Sequence, residues 1–189
     1  MDKKTIARLI DYINRIGAIQ IGRFSLTSGM ESTVYFDGRL VTLSTEGMGL
    51  IIPFFLQHLH RFGIDVIGGP TLGADPIIGA VLAAASQSGL SMGGVLIRNM
   101  PKEHGTRKQI EGVSVRGKRV LLVDDTLATG GSLLQTAAAV KEEGGEIVMV
   151  QTIAERSLGG AQALLDAGYP IDSMISITTA GKALPWSLN

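Results

Sequence analysis

The stretch that decides the fold is Val120-Leu-Leu-Val-Asp-Asp-Thr-Leu-Ala-Thr-Gly-Gly-Ser-Leu133. Its first four residues are apolar, which predicts a short buried strand. Asp124 and Asp125 stand where that strand is expected to end, and the small residues 126–132 lead into a helix pattern that starts at Leu133. Free N–H groups at a helix start bind anions, and the helix dipole adds to this attraction. Because the two carboxylates could accept hydrogen bonds from sugar hydroxyls, the stretch indicates a site for a sugar phosphate.

Strand and helix patterns alternate on both sides of this stretch. Helix patterns occupy residues 77–87, 131–143 and 159–167, and strand patterns occupy residues 65–68, 93–98, 120–124, 146–154 and 174–178. This alternation predicts an α/β fold with a doubly wound, mainly parallel sheet flanked by helices. Ligands bind at the carboxyl ends of the strands in such sheets. The loops expected at that edge are residues 69–76, 99–114 and 124–132.

The N-terminal part of the chain has a different pattern. Residues 4–16 predict an amphipathic helix, and residues 22–29 and 33–37 predict two short antiparallel strands. A further helix is expected over residues 45–61, with Ser44 as its cap and Pro53 as a kink or break. No repeat or linker is visible, so residues 1–189 are predicted to form a single domain, with a small N-terminal hood made mainly by about residues 1–42.

Composition excludes several classes of function. The chain has 189 residues, of which 45% are hydrophobic, enough to bury roughly 70% of the unfolded surface in one domain. Seventeen basic and seventeen acidic residues balance, which argues against nucleic acid or a membrane surface as the main partner. The absence of cysteine excludes disulfides and thiolate chemistry. Without a signal-peptide pattern or a long apolar run, the sequence predicts a cytoplasmic protein.

Residues 99–114 form a long polar stretch without periodicity, and such a loop inside a compact domain is usually functional or mobile. Arg98 precedes it, and Lys102, His104, Arg107 and Lys108 lie within it. We interpret it as a basic lid that faces the phosphate site. A solvated surface loop is the alternative interpretation for Lys102 and His104.

Other candidate residues also have simpler interpretations. The acidic pair could cap a helix or stabilise a turn, although two adjacent carboxylates repel each other unless a ligand or donor compensates them. Tyr35 and Phe36 could be packed residues at a strand end. Arg156 follows a predicted strand and could form a surface ion pair with Glu155. Neither a GxxxxGK[ST] nor a GxGxxG nucleotide motif is present.

Together these residues resemble a known family. The stretch 120–133 resembles the 5-phosphoribosyl 1-diphosphate (PRPP) signature of type I phosphoribosyltransferases. Three other motifs resemble orotate phosphoribosyltransferases: residues 24–29 with Ser32 and residues 35–37, residues 102–105 after Arg98, and residues 155–156 followed by 159–160 and 164–165. The resemblance implies transfer of ribose 5-phosphate from PRPP to orotate, giving orotidine 5′-monophosphate in pyrimidine synthesis.

The resemblance also implies roles for individual residues. The acidic pair would bind the ribose hydroxyls, residues 71–73 the diphosphate, and residues 126–132 the 5′-phosphate. The implied catalytic residues are Lys102, Asp124 and Asp125. The implied PRPP-binding residues are Thr71, Leu72, Gly73, Arg98, Lys102, His104, Asp124, Asp125, Thr126, Leu127, Ala128, Thr129, Gly130, Gly131 and Ser132. The implied orotate-binding residues are Tyr35, Phe36, Ala128 and Arg156.

Mg²⁺ is the implied cofactor, held mainly by PRPP rather than by protein ligands. The implied assembly is a homodimer with shared active sites, in which Lys102 and His104 reach into the neighbouring subunit. Three residues depart from the family pattern: Thr27 and Asn99 replace lysines, and Ala128 replaces a threonine that contacts orotate. Two alternatives therefore stay open, a phosphoribosyltransferase for another base and a non-catalytic regulator that senses PRPP.

Overall fold

The structure is a computed structural model that describes residues 2–25, 29, 31–98 and 109–187, without the side chain of His60. Thr27, Asn99, Lys102 and His104 lie outside the described residues. The helices are α1 Lys3–Arg15, α2 Arg39–Thr42, α3 Thr45–Leu56, α4 Leu59–Phe62, α5 Asp75–Gln87, α6 Gly131–Glu142 and α7 Gly160–Asp166. The strands are β1 Ile19–Ser25, β2 Glu31–Phe36, β3 Val66–Pro70, β4 Gly93–Ile97, β5 Ile110–Gly112, β6 Arg119–Leu127, β7 Glu146–Glu155, β8 Ile171–Ile177 and β9 Ala183–Pro185.

Seven strands form the main sheet in the order β5-β4-β3-β6-β7-β8-β9. The five inner strands are parallel, and the edge strands β5 and β9 pair antiparallel to their neighbours. Strand order reverses between β3 and β6, so crevices for ligands are expected where these two strands end. The predicted α/β fold with a mainly parallel sheet is confirmed.

Helices cover both faces of the sheet. On one face, α1, α3 and α5 pack on the strands through residues such as Leu9, Ile51 and Ile77, all fully buried. On the other face, α6 and α7 pack through residues such as Leu133 and Leu164. None of the described helices is long and apolar enough to cross a membrane.

Of the hood predicted over about residues 1–42, α1 packs on the main sheet instead. The hood consists of β1 and β2, which form a separate two-stranded antiparallel sheet, and of Gly38 and α2, which follow them. Two residues of β2, Val34 and Phe36, are buried in the main core. The short helix α2 follows directly, and its N-cap residue is Gly38. The hood is thereby placed over the carboxyl ends of the parallel strands.

The strand that carries the acidic pair does not end at Asp124, as the sequence pattern suggested. β6 continues to Leu127, with Asp124 opposite Thr152 and Leu127 opposite Glu155 of β7. The backbone ladder to β7 persists after the apolar run ends, because main-chain hydrogen bonds do not depend on side-chain polarity. The acidic pair therefore lies within a strand, with Asp124 three residues and Asp125 two residues before its end.

Other predicted boundaries were also wrong. The helix expected over residues 45–61 is divided into α3 and α4, and the break follows Leu56 rather than Pro53. Residues 69 and 70 belong to β3, and β5 lies within the predicted loop 99–114. The cap at Ser44 is confirmed, because its hydroxyl accepts a hydrogen bond from the Gly47 N–H at 3.0 Å.

Candidate active site

A cleft of about 410 Å³ opens between the hood and the carboxyl ends of the parallel strands. This volume lies in the range of small-molecule binding sites. The cleft is lined by Ser25, Tyr35, Phe36, Arg39, Leu72, Gly73, Asp124, Asp125, Thr126, Leu127, Ala128, Thr129, Gly130, Gly131, Ser132, Leu133 and Arg156. Three predicted regions, residues 72–73, residues 124–132 and the hood with Arg156, therefore meet in one cleft.

Burial perturbs the acidic pair strongly. Asp124 is only 8% exposed, and its carboxylate accepts a hydrogen bond from the Asp125 N–H at 2.9 Å. Burial, and secondarily the charge of Asp125, raise the pKa of Asp124 well above its ordinary value. Burial also raises the pKa of Asp125, while hydrogen bonds from Thr126 and Asp124 oppose the shift. Two acids destabilised in their charged form are suited to a ligand that brings hydroxyl donors or a cation.

Two glycines from different segments make close contact with this pair. A Cβ atom on Gly73 would lie 2.4 Å from Asp124 Oδ1 and 2.8 Å from Asp125 Oδ1. A Cβ atom on Gly38 would lie 2.6 Å from Asp125 Oδ2. A side chain at either position would fit only if the carboxylates or the backbone shifted. The contact of Gly38 was not predicted from the sequence, because it joins segments that are 87 residues apart by their numbers.

The small-residue loop forms a cradle at the start of α6. Gly130 adopts a left-handed conformation at the N-cap, with φ of +86°, which leaves the N–H groups that follow open to the cleft. The start of α7 buttresses the loop, since the Gly160 N–H donates to the Ala128 carbonyl at 3.0 Å. A Cβ atom on Gly160 would lie 2.4 Å from that same carbonyl oxygen. Residues 126–132 therefore form a cradle-shaped loop at a helix N-terminus, a geometry that binds anions in other proteins, and their phosphate-binding role stays a prediction.

Arg156 is a buried cation that joins the hood to the main sheet. Its side chain donates a hydrogen bond to Ser32 Oγ at 2.8 Å and another to the Val34 carbonyl. The backbone N–H of Arg156 donates to the Leu127 carbonyl at 2.9 Å. Burial lowers the pKa of Arg156 from its ordinary value. Because Arg156 is only 5% exposed as a residue, it does not form the surface ion pair with Glu155 that the simpler interpretation required.

The hood side of the cleft contains a second cation, Arg39, which the sequence did not single out. Its Nε donates to Asp37 Oδ1 at 2.9 Å, and Nη2 donates to Asp37 Oδ2 and to the Tyr35 hydroxyl, each at 3.3 Å. The only local signal was its position two residues after the Tyr35-Phe36-Asp37 motif. Tyr35 also packs on Phe24, with ring centroids 5.3 Å apart.

Some predicted residues lie beside the cleft rather than in its wall. Arg98 faces Glu111, with Nε 3.5 Å from Oε1, and its N–H donates to the Gln109 carbonyl. Thr71 donates its N–H to the Ile97 carbonyl at 3.0 Å, which fixes the start of the loop that carries Leu72 and Gly73. The predicted diphosphate role of Arg98 and the catalytic role of Lys102 stay predictions.

The chain matches the family model of the phosphoribosyl transferase domain over residues 57–173. It is 39% identical over 154 residues to orotate phosphoribosyltransferase of Streptomyces avermitilis, an alignment that covers 81% of this chain and 85% of that protein. It is 34% identical to orotate phosphoribosyltransferase of Mycobacterium avium over 181 residues, 96% of this chain and 99% of that protein.

A crystal structure of Mycobacterium tuberculosis orotate phosphoribosyltransferase in complex with PRPP is also similar, with a TM-score of 0.72 and 31% sequence identity. The similarity covers 93% of this chain and 91% of that one. The family model includes the acidic pair, the cradle and Arg156, whereas the hood precedes it. The similarity to whole relatives, however, extends to the hood.

Proposed function

This chain belongs to the phosphoribosyltransferase family, and we propose that it transfers ribose 5-phosphate from PRPP to orotate, giving orotidine 5′-monophosphate and diphosphate. The observation that carries the proposal is the single cleft that unites the acidic pair, the cradle and the buried Arg156 beneath the hood. Relatives named orotate phosphoribosyltransferase at 34–39% identity support orotate as the acceptor.

In the proposed reaction, N1 of orotate forms a bond to C1 of the ribose, and the bond from C1 to the diphosphate oxygen breaks. Diphosphate leaves with the electron pair of that bond, and the N1 proton is lost to solvent. Positive charge develops on the ribose, close to the carboxylates of Asp124 and Asp125 that would bind its hydroxyls. The cradle holds the 5′-phosphate through backbone N–H groups, so the sugar is fixed at both ends during the displacement.

The donor groups of the cleft fit a role for Mg²⁺. Carboxylate oxygens suit this ion, and it usually keeps several ligands from water and from substrate phosphates. Within the described residues, no group of three or more His, Cys, Asp or Glu side chains could hold a metal ion. Asp124 and Asp125 would therefore contribute only part of the coordination, with PRPP oxygens supplying most ligands. When bound, the ion would neutralise charge on the diphosphate leaving group.

We also propose a homodimer in which Lys102 and His104 of each subunit serve the cleft of the other. Light scattering after size exclusion would measure the oligomeric state. Mixed dimers of Lys102→Ala and Asp124→Asn subunits test the sharing. If sites are shared, one of the two sites in a mixed dimer has neither substitution, so activity is regained on mixing. If each subunit is self-contained, mixing restores nothing.

An absorbance assay with orotate, PRPP and Mg²⁺ tests the reaction directly. Turnover of orotate that requires both PRPP and Mg²⁺ is the expected result. A parallel panel of adenine, guanine, hypoxanthine and uracil tests the alternative base, which Ala128 in the cleft wall keeps open. Reaction with another base and none with orotate would contradict the proposal. Tight PRPP binding without any turnover would instead identify a regulator.

A further inference from the structure

Arg39 is held beside the acidic pair by the close approach of the hood. Gly38 touches Asp125, since even a Cβ atom would come within 2.6 Å of Oδ2, and Arg39 is the next residue along α2. Burial raises the pKa of Asp125, and the positive charge of Arg39 is one of the effects that oppose this rise. The guanidinium therefore lies at the end of the cleft where the ribose hydroxyls are expected to bind.

The guanidinium is also fixed in orientation. Asp37 binds it through both carboxylate oxygens, and the Tyr35 hydroxyl accepts a further hydrogen bond from Nη2. Asp37 is mostly buried, with 20% of its side chain exposed, and does not line the cleft, whereas Arg39 does and is 47% exposed. Among the described residues, none accepts a hydrogen bond from Nη1 of Arg39. A preoriented guanidinium with one free N–H₂ edge is suited to binding a carboxylate.

The chemistry of the acceptor determines which anion lies there. Orotate reacts through N1, and its carboxylate is attached to C6, the ring atom next to N1. When N1 faces C1 of the ribose, the carboxylate must lie on the ribose side of the base. Arg39 should lie on that side, because the residue before it, Gly38, touches Asp125 and Asp125 is expected to bind the ribose. Arg156 is held separately, by Ser32 and Val34 of β2, and would bind another edge of the base.

We propose that Arg39 binds the carboxylate of orotate and so selects orotate over bases that lack this group. This inference rests on the proposed function and adds a specificity-determining residue to it. Of the cleft-lining residues within the described part of the chain, only Arg39 and Arg156 are cationic. The two arginines would divide the recognition of the base between its carboxylate edge and a carbonyl edge.

The test uses two ligands that differ only in the carboxylate, orotidine 5′-monophosphate and uridine 5′-monophosphate. Calorimetric titration of the full-length protein and of Arg39→Gln gives four dissociation constants. We expect Arg39→Gln to lower the affinity for orotidine 5′-monophosphate at least tenfold, as for loss of a charge-assisted hydrogen bond. The affinity for uridine 5′-monophosphate should fall by less than twofold. Arg39→Lys should recover part of the affinity, because it keeps the charge but not the fork.

Arg15→Gln is the matched control, since Arg15 forms an exposed ion pair with Glu46 away from the cleft. It should leave all affinities unchanged. An equal loss of affinity for both nucleotides in Arg39→Gln, or an increase confined to its KM for PRPP, would overturn the assignment of Arg39 to the carboxylate. Thermal unfolding of each variant tests for a folding defect. Asp37→Asn keeps Arg39 but removes the charge that orients it, so it should lower the affinity for orotidine 5′-monophosphate selectively.

Wild-type turnover of orotate separates this inference from the proposed function. If the wild type converts orotate and Arg39→Gln discriminates the two nucleotides as the wild type does, only the role of Arg39 is overturned. If the wild type converts no orotate, the proposed function fails and the inference fails with it.

Discussion

The acidic pair with the cradle, residues 124–132, and the hood strands β1 and β2 both line one cleft, but different forces hold them. Backbone hydrogen bonds fix the cradle, to β7 on one side and from Gly160 on the other. The hood forms its own two-stranded sheet, and isolated two-stranded hairpins are only marginally stable. It is attached through buried side chains such as Phe36 and through hydrogen bonds from Arg156.

Under the proposed function, this difference would separate recognition of the donor from recognition of the base. The acidic pair and the cradle are continuous in sequence and follow directly along β6, whereas Leu72 and Gly73 reach the same cleft from the loop after β3. The base side depends on contacts between segments more than 100 residues apart, such as Ser32 with Arg156. Substitutions in the cradle should therefore change mainly the KM for PRPP, and substitutions in the hood should change mainly the KM for orotate.

The largest expected effect comes from Asp124→Asn, in the acidic pair that precedes the cradle. Losing charge-assisted hydrogen bonds to the ribose, each worth roughly 1.5–3 kcal/mol, should lower kcat/KM for PRPP about 100-fold. The melting temperature of the ligand-free variant should rise, because burial disfavours the charged Asp124. Steady-state kinetics and thermal unfolding measure the two effects. An inactive variant with a lower melting temperature would show that Asp124 stabilises the fold instead.

Gly73→Ala and Gly38→Ala compare the two walls at the same acidic pair. The new Cβ at Gly73 is confined by the loop after β3 and should raise the KM for PRPP at least tenfold. The hood can retreat from the new Cβ at Gly38, so that variant should mainly raise the KM for orotate. Gly79→Ala is the control, since no atom lies within 4 Å of its Cβ; it should add about 1 kcal/mol to the free energy of unfolding. Equal effects of the first two variants on both substrates would contradict the separation.

Ser32→Ala tests the anchor of the hood. Ser32 is a positioning residue in this interpretation, because it holds Arg156 at 2.8 Å without lining the cleft itself. We expect the KM for orotate to rise up to about tenfold, with the KM for PRPP unchanged. Ser88→Ala, an exposed serine at the end of α5, should change neither constant. A rise confined to the KM for PRPP would place Ser32 on the donor side.

The smallest effect concerns the pH dependence of stability. Since the pKa of Asp124 is raised, the folded protein binds more protons than the unfolded chain between the ordinary value of 3.8 and the raised one. The free energy of unfolding of the wild type should therefore fall relative to that of Asp124→Asn as pH rises through this window. The slope of this difference is at most about 1.4 kcal/mol per pH unit. Urea unfolding from pH 4 to 7 measures it, and a difference that grows in favour of the wild type would contradict the raised pKa.

Local patterns were sufficient for much of the molecule. The alternation of strands and helices, the cap at Ser44 and the cradle before α6 depend on neighbouring residues, and the sequence predicted each of them. The short strands β5 and β9 were missed, because three residues carry too little periodicity to identify a strand. The end of β6 was placed too early, because the hydrophobic pattern stops at Val123 while the ladder to β7 continues.

The sequence by itself determined the fold class and the local structure of residues 120–133, because a strand, an acidic pair, a small-residue loop and a helix start are consecutive and interact through local backbone geometry. Only the tertiary structure brought Gly38 and Gly73 onto the carboxylates, buried Arg156 beneath the hood and placed Arg39 beside Asp125. These contacts join distant segments, and their energies come from burial and close packing, which no local pattern encodes.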